Sequence, residues 1–149
     1  MSPASPRQPD APGNLQEEIG KKTPFEEPEQ EAYLNLLRTH AELHGQFDRL
    51  FREHGLSDPQ YNALRIVAAA GTGGIHSETI GERMVARMPD TTRLIDRLER
   101  AGLVQRTRRA DDRRCVLVTI TTEGRRRLRA VGKSVTALHR AQLGHLTRH

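Results

Sequence analysis

Five arginines stand in the nine residues from Arg106 to Arg114, within the stretch QRTRRADDRRCVLVTIT, and Asp111 and Asp112 lie among them. Guanidinium groups at this density are suited to neutralising a polyanion and to forking onto paired oxygens. A second set lies just upstream in PDTTRLIDRLERAG, where Arg93 and Arg97 are four residues apart, beside Thr92 and Asp96. An arginine in such a place can bridge O6 and N7 of guanine, the commonest specific base contact in duplex DNA. Nothing comparable points to catalysis. The sequence holds no Ser-His-Asp arrangement and no glycine-rich phosphate loop, so an enzyme built on Cys115 or the histidines is the weakest reading.

Arginines are usually exposed, and a charged loop can be no more than a solvated turn. The distribution of charge argues for more than that. Net charge is +5 and the pI about 10.1, yet residues 1–58 carry 6 Lys/Arg against 11 Asp/Glu while residues 101–149 carry 12 against 3. A cationic C-terminal third of this kind is what a polyanion-facing surface looks like from sequence; duplex DNA, a membrane surface or an acidic protein would each satisfy it. No apolar run approaches the roughly 18 residues that span a bilayer, so the protein is expected to be cytoplasmic with no membrane partner. Cys115 is the sole cysteine, which excludes an intrachain disulfide and a thiolate metal cluster within one chain.

The elements that must position these arginines can be read outward from them. Six of the eight prolines fall in residues 1–28, which are expected to form a flexible arm. From Glu29 to His54, Tyr33, Leu36, Leu37, Leu43, Phe47, Leu50 and Phe51 recur at three- and four-residue spacing, the mark of an amphipathic helix. Gly55 ends it. A second helix then opens with Ser57 and Gln60 as a capping box, Leu56 and Tyr61 as a hydrophobic staple and Pro59 in the first turn, and it stops at Gly71. After GTGG, Ser77 is placed to cap a short helix, ETIGERMVA, with Ile80 and Met84 one turn apart.

Pro89 opens the next helix. Leu94, Ile95 and Leu98 define its buried face with Thr91 on the same side, so Asp90, Thr92, Arg93, Asp96 and Arg97 point outward or to its flanks. Gly102 ends it. Short helix, turn and polar-tipped second helix make a helix-turn-helix, whose second helix can enter a DNA major groove. Beyond Leu103 and Val104 the pattern changes to a period of two, with Cys115, Leu117 and Thr119 alternating with Val116, Val118 and Ile120. Two strands joined by a basic loop make a wing. Arg106 and Arg108 belong to its first strand, Arg109 and Arg113 to the loop and Arg114 to the start of the second strand; Asp111 and Asp112 nucleate the turn. Arginines there can enter a narrow minor groove or neutralise phosphates.

With TRLIDRLERAGLVQR followed by DDRRCVLVTITTEGRRRL, the chain from about Glu29 to its end resembles the MarR family of transcriptional regulators. The match joins a recognition helix to a wing carrying the family's Asp-x-Arg signature at Asp112, Arg113 and Arg114, and then to a threonine-glycine start of the last helix. The resemblance implies a mainly α fold with a small β-wing, with residues 29–54 and 122–149 as dimerisation helices around a winged helix-turn-helix at residues 56–121. It further implies a homodimer that binds a pseudopalindromic operator and represses until a small ligand or an oxidant releases it. The last helix fits, since Leu128, Val131, Val135 and Leu138 form a stripe that Leu143 and Leu146 extend. Burying both terminal helices against a second copy is economical; packing on their own protomer is the alternative.

Arg93 is the expected base-edge contact, Arg97 reaches a base or a phosphate, and Thr92 a thymine methyl or a phosphate. The resemblance implies a salt bridge from Asp96 to a wing arginine, Arg114 being the first choice, with Asp112 also supporting the wing. In one place the chain departs from the family: ARMPD stands where many members have a serine cap, leaving Asp90 either to cap the helix or to accept from cytosine N4. The effector pocket implied by the family falls near Tyr33, His40, His44 and Tyr61. His40 and His44 lack an evident third ligand, so no metal or other cofactor is expected. A redox role for Cys115, or a metal role for the histidines, is the alternative form of sensing.

Overall fold

A computed structural model of the chain describes residues 15–86, 89–108 and 116–146. It divides into two compact units, Met1–His44 and Gly45–His149. In the first, residues 15–27, which the sequence assigns to the flexible arm, carry a short helix α1 (Leu15–Glu18) with Leu15 buried. Glu18 pairs with Arg38 at 3.3 Å, and the Lys21 ammonium donates to the Thr23 and Pro24 carbonyls at 2.8 and 3.0 Å. These bonds give the segment a defined path that its prolines and charges do not advertise. Arg38 lies on α2 (Pro28–Glu53), one residue off the expected bounds at each end. Over this first stretch of α2 the apolar face is uncovered, with Tyr33 63% and Leu36 72% exposed.

The second unit is a winged helix-turn-helix. Helix α2 stops in a Schellman turn, with Leu56 N–H donating to the Phe51 carbonyl at 2.9 Å while both side chains are buried. Helix α3 (Asp58–Ala69) then starts as the sequence requires: Ser57 accepts from Gln60 N–H, and the Gln60 side chain accepts from Ser57 N–H at 2.8 Å. Tyr61 stacks on Phe51 with ring centroids 4.7 Å apart, which places two of the five aromatics at the centre of an otherwise aliphatic core. Phe47 lies 4.6 Å from His139, joining this end of α2 to the last helix.

One element was not legible. After a 3-10 turn at Gly71–Gly73, Ile75–His76 form a strand, β1, ahead of α4 (Ser77–Arg83). A two-residue strand is too short to show a period. It displaces the expected cap, because His76, paired with Leu117, becomes the N-cap residue with extended backbone and no side-chain cap, and Ser77 is the first helical residue. Helix α4 also stops sooner than expected, since Met84 turns extended to bury its side chain.

Helix α5 (Thr91–Arg100) crosses α4 closely, and Gly81 is why: a Cβ there would lie 2.7 Å from Thr91 Oγ1. Leu94, Ile95 and Leu98 are buried as expected. Gly102, with φ 68°, closes the helix in a second Schellman turn through Gly102 N–H to Glu99 O and Leu103 N–H to Leu98 O. Strands β2 (Val104–Arg108) and β3 (Val116–Ile120) pair antiparallel with Arg106 opposite Val118, giving a three-stranded sheet in the order β1-β3-β2. The alternation holds, for Val118 and Ile120 are buried.

Thr121, one residue earlier than the expected start, caps α6 (Thr122–Leu143) by accepting from Gly124 N–H at 3.0 Å, and its hydroxyl reaches the carbonyls of Gly102 at 2.7 Å and Leu103 at 3.1 Å. Val131 and Val135 enter the core of this unit, whereas Leu143 and Leu146 remain exposed. Part of the terminal stripe is therefore satisfied within the protomer.

Candidate nucleic-acid interface

The outer face of α5 is built from its first turn. Asp90, whose role the sequence left open, is the N-cap: its Oδ1 accepts from Arg93 N–H at 2.9 Å, and its Oδ2 pairs with Arg93 Nε at 2.9 Å. One carboxylate thereby satisfies a first-turn donor and holds a guanidinium at the helix tip. The Arg93 side chain is 78% exposed in that position. Thr92 and Arg97 are exposed beside it, opposite the buried leucines. A polar helix tip that presents exposed arginines is the kind of surface that a major groove accepts.

The other flank of α5 faces the wing. Arg106 is at β2 as expected, but its guanidinium turns toward the helix: Nη1 lies 2.6 Å from Asp96 Oδ1 and 2.7 Å from Glu99 Oε2, and its backbone N–H donates to Glu99 Oε1 at 2.9 Å. Nη2 also reaches the Thr92 carbonyl at 3.5 Å, the outer limit of a hydrogen bond. Burial disfavours the Arg106 charge, and the hydrogen bonds and charges of Asp96 and Glu99 outweigh it, leaving its pKa raised. Among the described residues Asp96 pairs with Arg106; Arg114, the first choice for that bond in the sequence, lies outside them.

Glu99 was missed. It sits one turn beyond Asp96 at the edge of the buried face, where charge alone does not single it out. Arg108 ends β2 opposite Val116. Arg109, Asp111, Asp112, Arg113, Arg114 and Cys115 lie outside the described residues.

The residues proposed for an effector pocket divide between the two units. Tyr33, His40 and His44 belong to the first, with the His40 and His44 rings 5.0 Å apart. No group of three metal-ligating side chains occurs among the described residues. Tyr61, in the second unit, borders a cavity of about 340 Å³ with Arg65 of α3 and Leu128, Gly132, Thr136 and His139 of α6. Arg65 and His139 carry no motif that would have marked them. Among the described residues no helix is long and apolar enough to cross a membrane.

Comparison with known proteins agrees with this geometry. The model of the MarR family matches residues 56–116. The chain is similar to the HTH-type transcriptional regulator FarR of Neisseria gonorrhoeae, at 28% identity over 102 residues that make up 68% of each chain. Among solved structures it resembles a MarR transcription factor from Planctomyces limnophilus, with 39% identity, a TM-score of 0.69 and coverage of 82% of this chain and 88% of that one. It also resembles CouR from Rhodococcus jostii, solved bound to p-coumaroyl-CoA, with 25% identity, a TM-score of 0.69 and coverage of 83% and 85%. The exposed arginine tip, the braced wing and these likenesses agree, and the chain belongs to the MarR family of DNA-binding winged helix-turn-helix transcriptional regulators, which are not enzymes.

Proposed function

We propose that the protein is a cytoplasmic, ligand-responsive repressor that binds a pseudopalindromic operator as a homodimer. The observation that carries the reading is the tip of α5, where Asp90 fixes an exposed Arg93 at the point at which a groove-bound helix meets base edges. Arg97, and the wing residues Arg108, Arg109, Arg113 and Arg114, supply the phosphate-neutralising charge in this reading. Arg106 has a different part: it braces the wing against α5 through Asp96 and Glu99, and Asp112 is assigned the support of the turn from the sequence alone.

Dimerisation is supported by the apolar surface left open on α2 at Tyr33, Leu36 and Leu37, and at Leu143, the last residue of α6, and Leu146 just beyond it. A dimer seated on a promoter represses by occupying it. For the effector, the α3–α6 cavity combines an aromatic wall at Tyr61 with the cation of Arg65 and the imidazole of His139, a lining suited to an aromatic or acyl anion. Tyr33, His40 and His44 of the first unit are further candidates for contact with it.

The test is to select duplexes from random genomic fragments with the purified protein and to footprint the winners. A symmetric site with two half-sites about 10 base pairs apart, centre to centre, is the expected result. Retention of fragments with no shared sequence would sink the proposal.

A further inference from the structure

Helix α6 is a cation-rich rod. From Thr122 to Leu143 it has six Lys/Arg against Glu123 alone, and no Asp or Glu occurs between Arg125 and Arg140. At about 100° per residue, Arg125, Arg129, Lys133 and Arg140 fall within an arc of about 80°, turned away from Leu128, Val131 and Val135, which pack in the core.

The one carboxylate of the helix is already engaged. Arg126 Nε and Nη2 donate to Glu123 at 2.7 and 2.8 Å, and Arg127 donates to the same carboxylate at 3.1 Å and to the His54 carbonyl at 3.3 Å. Arg125, Arg129, Lys133 and Arg140 have no ion-pair partner among the described residues, and the last three are exposed. Like charges one turn apart repel, so the stability of the helix does not account for this row.

Nor is the row a continuation of the α5 tip. Thr121 ties the start of α6 to the carbonyls of Gly102 and Leu103, whereas Asp90 and Arg93 stand at the opposite end of α5, a ten-residue helix about 15 Å long. From Arg125 to Arg140 the row runs about 22 Å, a length over which duplex DNA carries about 13 phosphate charges. Thr136 lies on the same arc, with no aromatic or large aliphatic side chain between Arg125 and Arg140. A protein partner or a lipid surface would need such anchors; a phosphate backbone needs cations alone.

From this surface we infer that Arg125, Arg129, Lys133 and Arg140 form a second DNA-binding face, which takes the backbone of a duplex segment other than the one read by α5. An operator-bound protein would thereby tether a neighbouring stretch of DNA without regard to its sequence. This goes beyond the operator reading and uses the operator only as a platform.

In the experiment, operator duplex on beads is saturated with the full chain, and a labelled scrambled duplex is offered as salt is raised. Capture is expected, its log affinity falling against log salt with a slope of about −3.6 for four cations. Arg125→Gln, Arg129→Gln, Lys133→Gln and Arg140→Gln combined preserve helix propensity. This variant should hold the operator within about twofold of wild type and capture the scrambled duplex at least about tenfold more weakly. Unchanged capture overturns the inference, as does an operator affinity that falls as far as capture, which would make the row part of the operator site. A shift in sedimentation of the DNA-free variant would assign the row to a second copy of the chain, and binding of phosphatidylserine vesicles without capture of duplex would assign it to a lipid surface; either result overturns the inference too. Beads that hold no protein overturn the operator reading instead. The row is then judged in solution, where wild type must still bind the scrambled duplex about tenfold more tightly than the combined variant.

Discussion

Asp90 shows how much a single side chain can decide. A carboxylate at the tip of a DNA-reading helix looks misplaced beside phosphates, yet both of its oxygens are occupied, one by the Arg93 amide and one by its guanidinium. Replacing Asp90 with alanine should cost about 1 kcal/mol of stability, from the lost cap, and should loosen operator selectivity because Arg93 is no longer held. Asp90→Asn separates the two effects: the cap is kept, so the melting temperature stays near wild type while selectivity still falls. For Arg93→Ala the expected loss is about 1–3 kcal/mol of discrimination at one base pair in each half-site, measured by competition among operator variants. Wild-type discrimination in that variant would remove Arg93 from the interface. The exposed placement of Arg93 on α5 was legible because its type and helix position suffice. The partners of Arg106 were not, since the reach from β2 to Asp96 and Glu99 follows from how a strand lies against a helix, and no period in the sequence encodes it.

Among the elements, those with a repeating pattern or a cap could be read directly. The capping box of α3, the buried face of α5 and the alternation of β3 all announce themselves within a few residues. Strand β1 could not, for two residues carry no period and the glycines before it read as a turn. The crossing of α4 and α5 is another tertiary fact that one glycine makes possible. Gly81→Ala should destabilise the protein, because the clash with Thr91 costs about 1–3 kcal/mol against a helix-propensity gain of about 1 kcal/mol. The double variant Gly81→Ala with Thr91→Ala removes the clashing hydroxyl and should recover the loss in chemical denaturation; no recovery would locate the strain elsewhere.

The first turn of α6 offers a pH test. The hydrogen bond from Arg126, and then that from Arg127, hold the Glu123 carboxyl below the usual carboxylate range. A depressed folded-state pKa means that this contribution is present above the unfolded carboxylate pKa and is lost as pH falls through the lower folded value. Glu123→Gln should therefore flatten the acid limb of the melting-temperature profile below about pH 4, by a small amount because the group is exposed. An unchanged limb would show that the pairs contribute nothing.

For the whole molecule, the division of charge and the uncovered helix faces go together. Unit Gly45–His149 carries the arginines proposed to face DNA and its own core, whereas the apolar residues at Tyr33, Leu36 and Leu37 are exposed. Leu36→Arg should shift the protein from dimer to monomer in sedimentation and weaken operator binding far more than binding of one half-site, since only a pair gains from two linked contacts. A variant that sediments as wild type would exclude this face from the subunit contact. Sequence showed that these faces exist, but which residues a protomer covers by itself, Val131 and Val135 among them, depends on packing. The hydroxyl of Thr121 ties the carbonyls of Gly102 and Leu103 to the start of α6, so the end of α5 and the start of the long terminal helix are joined at that point. In the proposed twofold pair α6 would be the calliper arm: half-sites set wider or narrower along the duplex would be met by re-angling α6, with the letters that α5 is proposed to read left as they are.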